Sequence, residues 1–83
     1  MTVLDLYQQL FHGLNTVPAP IDTKAVDSLI DCILWCHVEA ACENYRWHDV
    51  NKSCQLLPAI ALSQLNDTPD PNWKLFSRTF IYQ

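Results

Sequence analysis

Four cysteines are the most reactive side chains in this 83-residue sequence, spaced Cys32-x3-Cys36-x5-Cys42-x11-Cys54. Such a set supports two chemistries, a pair of disulfide bonds or a tetrahedral metal site. A zinc ion could take all four thiolates, or two of them with His37 or His48. Zinc modules, however, present Cys-x2-Cys pairs on tight turns, and here the first pair is Cys-x3-Cys inside a helical pattern. The spacing therefore predicts disulfides and no metal. Residues 32 and 36 stand one turn apart on the same helix face, so a bond between them would be strained. Two combinations remain, Cys32–Cys54 with Cys36–Cys42, or Cys32–Cys42 with Cys36–Cys54. Either ties the helix to the segment that follows.

Catalytic chemistry finds less support. His37 beside Cys36, and His48 beside Asp49, suggest a Cys–His nucleophilic pair, but a sulfur held in a disulfide cannot attack. Asp27 and Asp31 have the spacing of a paired acid and read better as solvated charges near a helix N-terminus, where the dipole favours them. Ser28 has no partnered base, and the single glycine, Gly13, leaves no phosphate-cradling loop. The sequence thus predicts neither enzyme nor cofactor. Trp35, Trp47 and Trp73 are candidate binding residues, as a sugar platform or a protein hot spot; the alternative is that they fill the core beside Tyr45 and Phe76. Asn51-Lys52-Ser53 and Asn66-Asp67-Thr68 are acceptor tripeptides for N-glycosylation, both in segments expected to be turn or loop.

These residues need elements to hold them. Ser28-Leu29-Ile30-Asp31 has the form of a capping box with Asp in place of Glu, while Asp22 or Thr23 could cap an earlier start. The pattern predicts a helix from about Thr23 or Ser28 to Ala40. Val26, Leu29, Ile30, Ile33, Leu34 and Trp35 make so wide an apolar surface that the helix is expected to pack over most of its girth. From Cys42 the period drops to two, with Glu43, Tyr45 and Trp47 alternating against Asn44, Arg46 and His48. Residues 49–52 are turn-like and Ser53–Leu57 returns as the second arm of a hairpin. Pro58, Pro69 and Pro71 mark residues 58–72 as a long irregular connection, and Trp73–Tyr82 reads as a closing strand. Leu6, Leu10 and Leu14, flanked by Val3, Tyr7 and Phe11, follow a helical period before the Val17-Pro18-Ala19-Pro20 connector. The sum is a single α+β domain over 1–83, one helix laid on a small, mostly antiparallel sheet.

The charge is −4, and the five basic residues Lys24, Arg46, Lys52, Lys74 and Arg78 are scattered. Nucleic acids and other polyanions need a basic stripe, so the composition argues against them as partners. The apolar runs are too short to span a bilayer, which predicts no membrane insertion. Met1-Thr2-Val3-Leu4-Asp5 lacks the basic start of a signal peptide, which leaves the cysteines to indicate the compartment. Paired disulfides place the chain in an oxidising one, secreted or extracellular.

A capped helix with Ser28, Cys32 and Cys36, the strand Cys42-Glu43-Asn44-Tyr45-Arg46-Trp47 and the strand Cys54-Gln55-Leu56 together resemble the core of the PAN/apple family. The resemblance covers residues 28–57 and extends to the closing strand near Trp73–Arg78. It implies nested bridges, Cys32–Cys54 around Cys36–Cys42, and a strand rather than a helix within residues 1–21. The further cysteine pair that joins the termini of full apple domains is absent, so the likeness is to the simpler PAN form. It also implies a non-catalytic extracellular recognition module, part of a larger secreted or cell-surface glycoprotein, that binds protein or carbohydrate. The acidic balance favours protein or neutral glycan over sulfated partners, and the 58–72 loop with the outer face of the hairpin is the expected binding surface. An alternative is a structural subunit that self-associates into a fibre or multimeric extracellular complex.

Overall fold

Ser28 opens the helix as its residue type dictates. In the computed structural model, which describes residues 7–78, helix α1 spans Leu29–Val38. The Ser28 hydroxyl oxygen accepts from the Asp31 N–H at 3.4 Å, and the hydroxyl donates to Asp31 Oδ2 at 3.3 Å. One orphan N–H of the first turn is thereby satisfied, and the second bond fixes the capping hydroxyl. At the other end the Glu39 N–H donates to the carbonyls of Trp35 and Cys36. Arg78 completes this terminus, its Nη2 donating to the Cys36 and His37 carbonyls at 2.9 and 3.2 Å and to the Tyr7 hydroxyl at 3.2 Å. A cation is well placed there, against the negative end of the helix dipole. Arg78→Ala should lower stability by about 1–2 kcal/mol, a charged capping bond discounted for partial exposure, read as a lower denaturant midpoint with unchanged slope.

The sheet beneath α1 has five strands: β1 (Gln8–Leu10), β3 (Asp22–Ala25), β4 (Asn44–His48), β5 (Ser53–Leu57) and β7 (Trp73–Ser77). Their spatial order is β1-β7-β4-β5-β3, with every neighbouring pair antiparallel. A second, two-stranded sheet pairs β2 (Gly13–Leu14) with β6 (Leu65–Asn66). Alternation along the strands divides the apolar residues into two layers. Tyr45, Trp47, Cys54 and Leu56 face α1 and pack with Cys32, Ile33, Cys36 and Cys42. On the opposite face Leu57 and Leu75 pack with Ile60, and Leu10, Leu14 and Leu65 lie against them. The segments carrying β2 and β6 therefore form a lid over the face of the sheet away from the helix.

Both disulfides stand in the first layer. Cys32 bonds Cys54 and Cys36 bonds Cys42, with Cα–Cα distances of 5.6 and 5.4 Å. This is the nested combination. The sulfurs anchor α1 to β5 and to the entry of β4, and all four cysteines are fully buried.

Several expectations are corrected. The helix does not pack over most of its girth: it buries Cys32, Ile33 and Cys36, while Ile30, Leu34 and Val38 are 47%, 45% and 77% exposed. One sheet face lies against it and two short bridges draw it down, and no described element packs on its outer side. Thr23 does not cap a helix but lies in β3, an edge strand exposed along its whole length and held to β5 by backbone pairing. In the described part of residues 1–21 Leu10 and Leu14 lie on strands, as expected from the resemblance and against the local helical period, because β7 and β6 offer backbone partners there. Residues 58–72 are less irregular than expected, containing a 3-10 turn at Leu62–Gln64 as well as β6. Strand β7 ends at Ser77; the rest of the predicted Trp73–Tyr82 strand, beyond Arg78, lies outside the described residues, as do Val3 and Leu6.

Candidate binding cleft

Arg46 lies between Tyr45 and Trp47 on β4, so the pleat that buries its neighbours against α1 turns it to the other face of the sheet. There the register sets it between Gln55 of β5 and Leu75 of β7. Its Nε donates to Gln55 Oε1 at 2.6 Å, and its guanidinium carbon lies 4.3 Å from the centre of the Trp73 ring. One hydrogen bond and one aromatic face thus fix the planar group without using its terminal nitrogens, which have no hydrogen-bond partner among the described residues. Burial lowers the guanidinium pKa from its usual value, and the Asp70 carboxylate offsets part of that. An arginine remains charged under such a shift.

Asp70 reaches this position through local bonding. Its Oδ1 accepts from the N–H groups of Asn72 and Trp73 at 2.8 and 3.2 Å, an Asx turn between Pro69 and Pro71 that fixes the approach to β7. His12 enters from the segment before β2. Its Nδ1 is 3.1 Å from the Asn66 carbonyl, which can only accept, so Nδ1 carries the proton and Nε2 is the acceptor in the neutral ring. Gly13 holds the two-stranded lid close. A Cβ at residue 13 would stand 2.5 Å from the Thr68 carbonyl oxygen, so no larger side chain fits without moving backbone.

Between lid and sheet these groups line a cleft of about 60 Å³, formed by His12, Gly13, Leu14, Arg46, Asp70 and Trp73 together with Val17 and Leu75. A donor-only guanidinium and an acceptor-only carboxylate share a mouth whose walls are apolar. A hydroxyl group both donates and accepts, and so matches the pair better than an anion, which Asp70 would repel.

Trp47 is 2% exposed, in the layer beneath α1, and presents no surface to a ligand. Trp35 is half-buried with Lys24 Nζ 4.2 Å above its ring. Trp73 carries Arg46 on its ring, and His48 meets it nearly at right angles at 4.9 Å. Only Trp73 joins the cleft. Asp27 and Asp31 line a wide open depression of about 410 Å³ with Lys24, Ala25 and Val26. His37 is exposed on the last turn of α1, and His48 Nδ1 accepts from the Asn51 N–H at 3.2 Å. Among the described residues no three His, Cys, Asp or Glu side chains gather as a metal site would, and all four thiols are consumed in disulfides.

No family model matches this chain, nor does any curated protein or solved structure. The cleft must be read from its own chemistry. Two disulfides suit an oxidising, extracellular-type environment, and among the described residues no helix is long and apolar enough to cross a membrane.

The residue types of the cleft were not conspicuous in the sequence. Arg46 is detectable by its place in the alternation, opposite two core aromatics. The Asx turn of Asp70 is announced by the flanking prolines. His12 carries no local signal, because a long-range pairing of β2 with β6 brings it in.

Proposed function

We propose that this chain is a non-catalytic recognition module of the PAN/apple type, working in a secreted or cell-surface glycoprotein, and that it binds a neutral glycan or the hydroxyl-bearing surface of a protein partner through the Arg46–Asp70–Trp73 cleft. The observation that carries this reading is a fixed guanidinium and a carboxylate lining one cleft whose other walls are largely apolar. The nested clasp of α1 to the β4–β5 hairpin supports it in a second way. A frame held by two short bridges orders little on binding and so loses little entropy.

The cleft is too small to enclose a drug-sized ligand and suits one edge of a sugar ring. A pyranose of about a dozen non-hydrogen atoms, at about 0.3 kcal/mol each, gives an affinity on the order of 1 mM. Useful avidity would come from repetition of the module or of the ligand. Calorimetry against a panel of neutral oligosaccharides should find a binder that Arg46→Ala and Asp70→Asn each weaken at least tenfold, while thermal midpoints show both variants folded. Unchanged affinity in both variants would overturn the assignment of the cleft.

A further inference from the structure

The two Asn-x-Ser/Thr tripeptides are equivalent in sequence and different in structure. Asn51 is exposed in the four-residue loop 49–52 between β4 and β5, and its backbone N–H is bonded to His48. Lys52 follows in the left-handed region at φ 54°, and its carbonyl accepts from the Val26 N–H at 2.9 Å, which holds the loop in this form. The Asn51 side-chain amide has no partner among the described residues. Asn66 is half-buried on β6 and pairs with Gly13 of β2. Its Oδ1 accepts from the Thr68 N–H at 3.0 Å. The whole amide packs on Gly13 so closely that a Cβ there would stand 2.9 Å from Oδ1 and 3.3 Å from Nδ2.

We propose that Asn51 is an N-glycosylation site of the folded protein and that Asn66 is not. In the reaction Asn51 Nδ2 bonds to the anomeric carbon of a lipid-pyrophosphate-linked oligosaccharide. The bond from that carbon to the pyrophosphate oxygen breaks, the lipid pyrophosphate leaves with the electron pair, and the amide gives up one proton. At Asn51 the new sugar extends into solvent. At Asn66 the same bond would place a sugar ring where the amide rests on β2, prising apart the two-stranded lid and its Gly13–Asn66 pairing. A chain carrying sugar on Asn66 therefore cannot close the lid over Leu57, Ile60 and Leu75. The inference rests on the extracellular reading of the compartment and is independent of the ligand of the cleft.

The full chain, expressed behind a cleavable signal peptide in a glycosylating eukaryotic host, tests it. The secreted, fully oxidised protein should carry one glycan, and enzymatic removal in heavy-oxygen water should mark residue 51. Ser53→Ala should abolish the modification. Thr68→Val should leave it unchanged, since that substitution breaks the second tripeptide but keeps the backbone N–H that holds Asn66. Sugar on Asn66 in oxidised, folded protein, or no sugar on either residue, would overturn the proposal. The binding reading would stand in both cases, because its calorimetric test uses unglycosylated protein.

Discussion

Reduction of both disulfides is expected to unfold the domain. Cys32–Cys54 closes a loop of sequence separation 22 and Cys36–Cys42 one of 6. Chain entropy assigns about 3 kcal/mol to the first and about 2 kcal/mol to the second, somewhat less in sum because one loop lies within the other. A domain of this length has a net stability of about 4–12 kcal/mol, so the bridges account for a large share of it. The geometry adds to the loss: α1 buries only three side chains, and two of them are cysteines. Without its bridges the helix keeps Ile33 and partial contacts from Leu29 and Trp35. The double variant Cys32→Ala/Cys54→Ala should lose about 3 kcal/mol or more and the α1 contribution to circular dichroism. Cys36→Ala/Cys42→Ala should lose less. Equal stability with and without reductant, in an urea titration, would contradict this ordering of forces.

Tyr45 should be the second most sensitive position, with an outcome that depends on which part of it is removed. Its ring is fully buried at the centre of the sheet, stacked on Phe76 at 4.9 Å and met edge-on by Tyr7 at 5.2 Å. Tyr45→Ala removes an aromatic from a packed layer and should cost about 3–5 kcal/mol, as such deletions do. Its hydroxyl is buried with no hydrogen-bond partner among the described residues. Tyr45→Phe should therefore be neutral or slightly stabilising, since it removes an uncompensated polar group. The same burial, reinforced by Tyr7, pushes the hydroxyl pKa far above its ordinary 10.0. The unfolded chain then loses this proton first as the pH rises through about 10. Stability from this group is complete below that pH and falls above it, by up to about 1.4 kcal/mol per pH unit. Urea titrations between pH 8 and 11 should show a steeper alkaline loss for the native protein than for Tyr45→Phe.

The parts of the fold that were legible in the sequence are those fixed by local chemistry. Ser28 with Asp31 announces the start of α1, and the alternation through Tyr45 and Trp47 announces β4. The Ser53–Leu57 arm is bounded by turn residues on one side and Pro58 on the other. Its partner β3 was not legible. Asp22 and Lys24, which flank Thr23, are poor strand formers, and β5 recruits the segment through backbone pairing from about 30 residues away. The same holds for β2 and β6, two-residue strands that exist because each supplies the other's hydrogen bonds. The apolar outer face of α1 misleads for a different reason: Ile30, Leu34 and Val38 look like core in a sequence, and only the sheet's position shows that no other described element packs on them. Of the three tryptophans, the two that are not buried each have a cation over the ring. Sequence spacing gives no sign of those pairings, because Lys24–Trp35 and Arg46–Trp73 both cross between elements.

A titration of isotope-labelled, unglycosylated protein with neutral methyl pyranosides and their uronic-acid counterparts, followed by amide and side-chain chemical shifts, tests the central claim most directly. The account predicts saturable shifts confined to His12, Leu14, Arg46, Asp70 and Trp73, larger for a neutral sugar than for its acidic counterpart. Shifts that cluster instead on Ile30, Leu34 and Val38, or stronger binding of the acid, would contradict it.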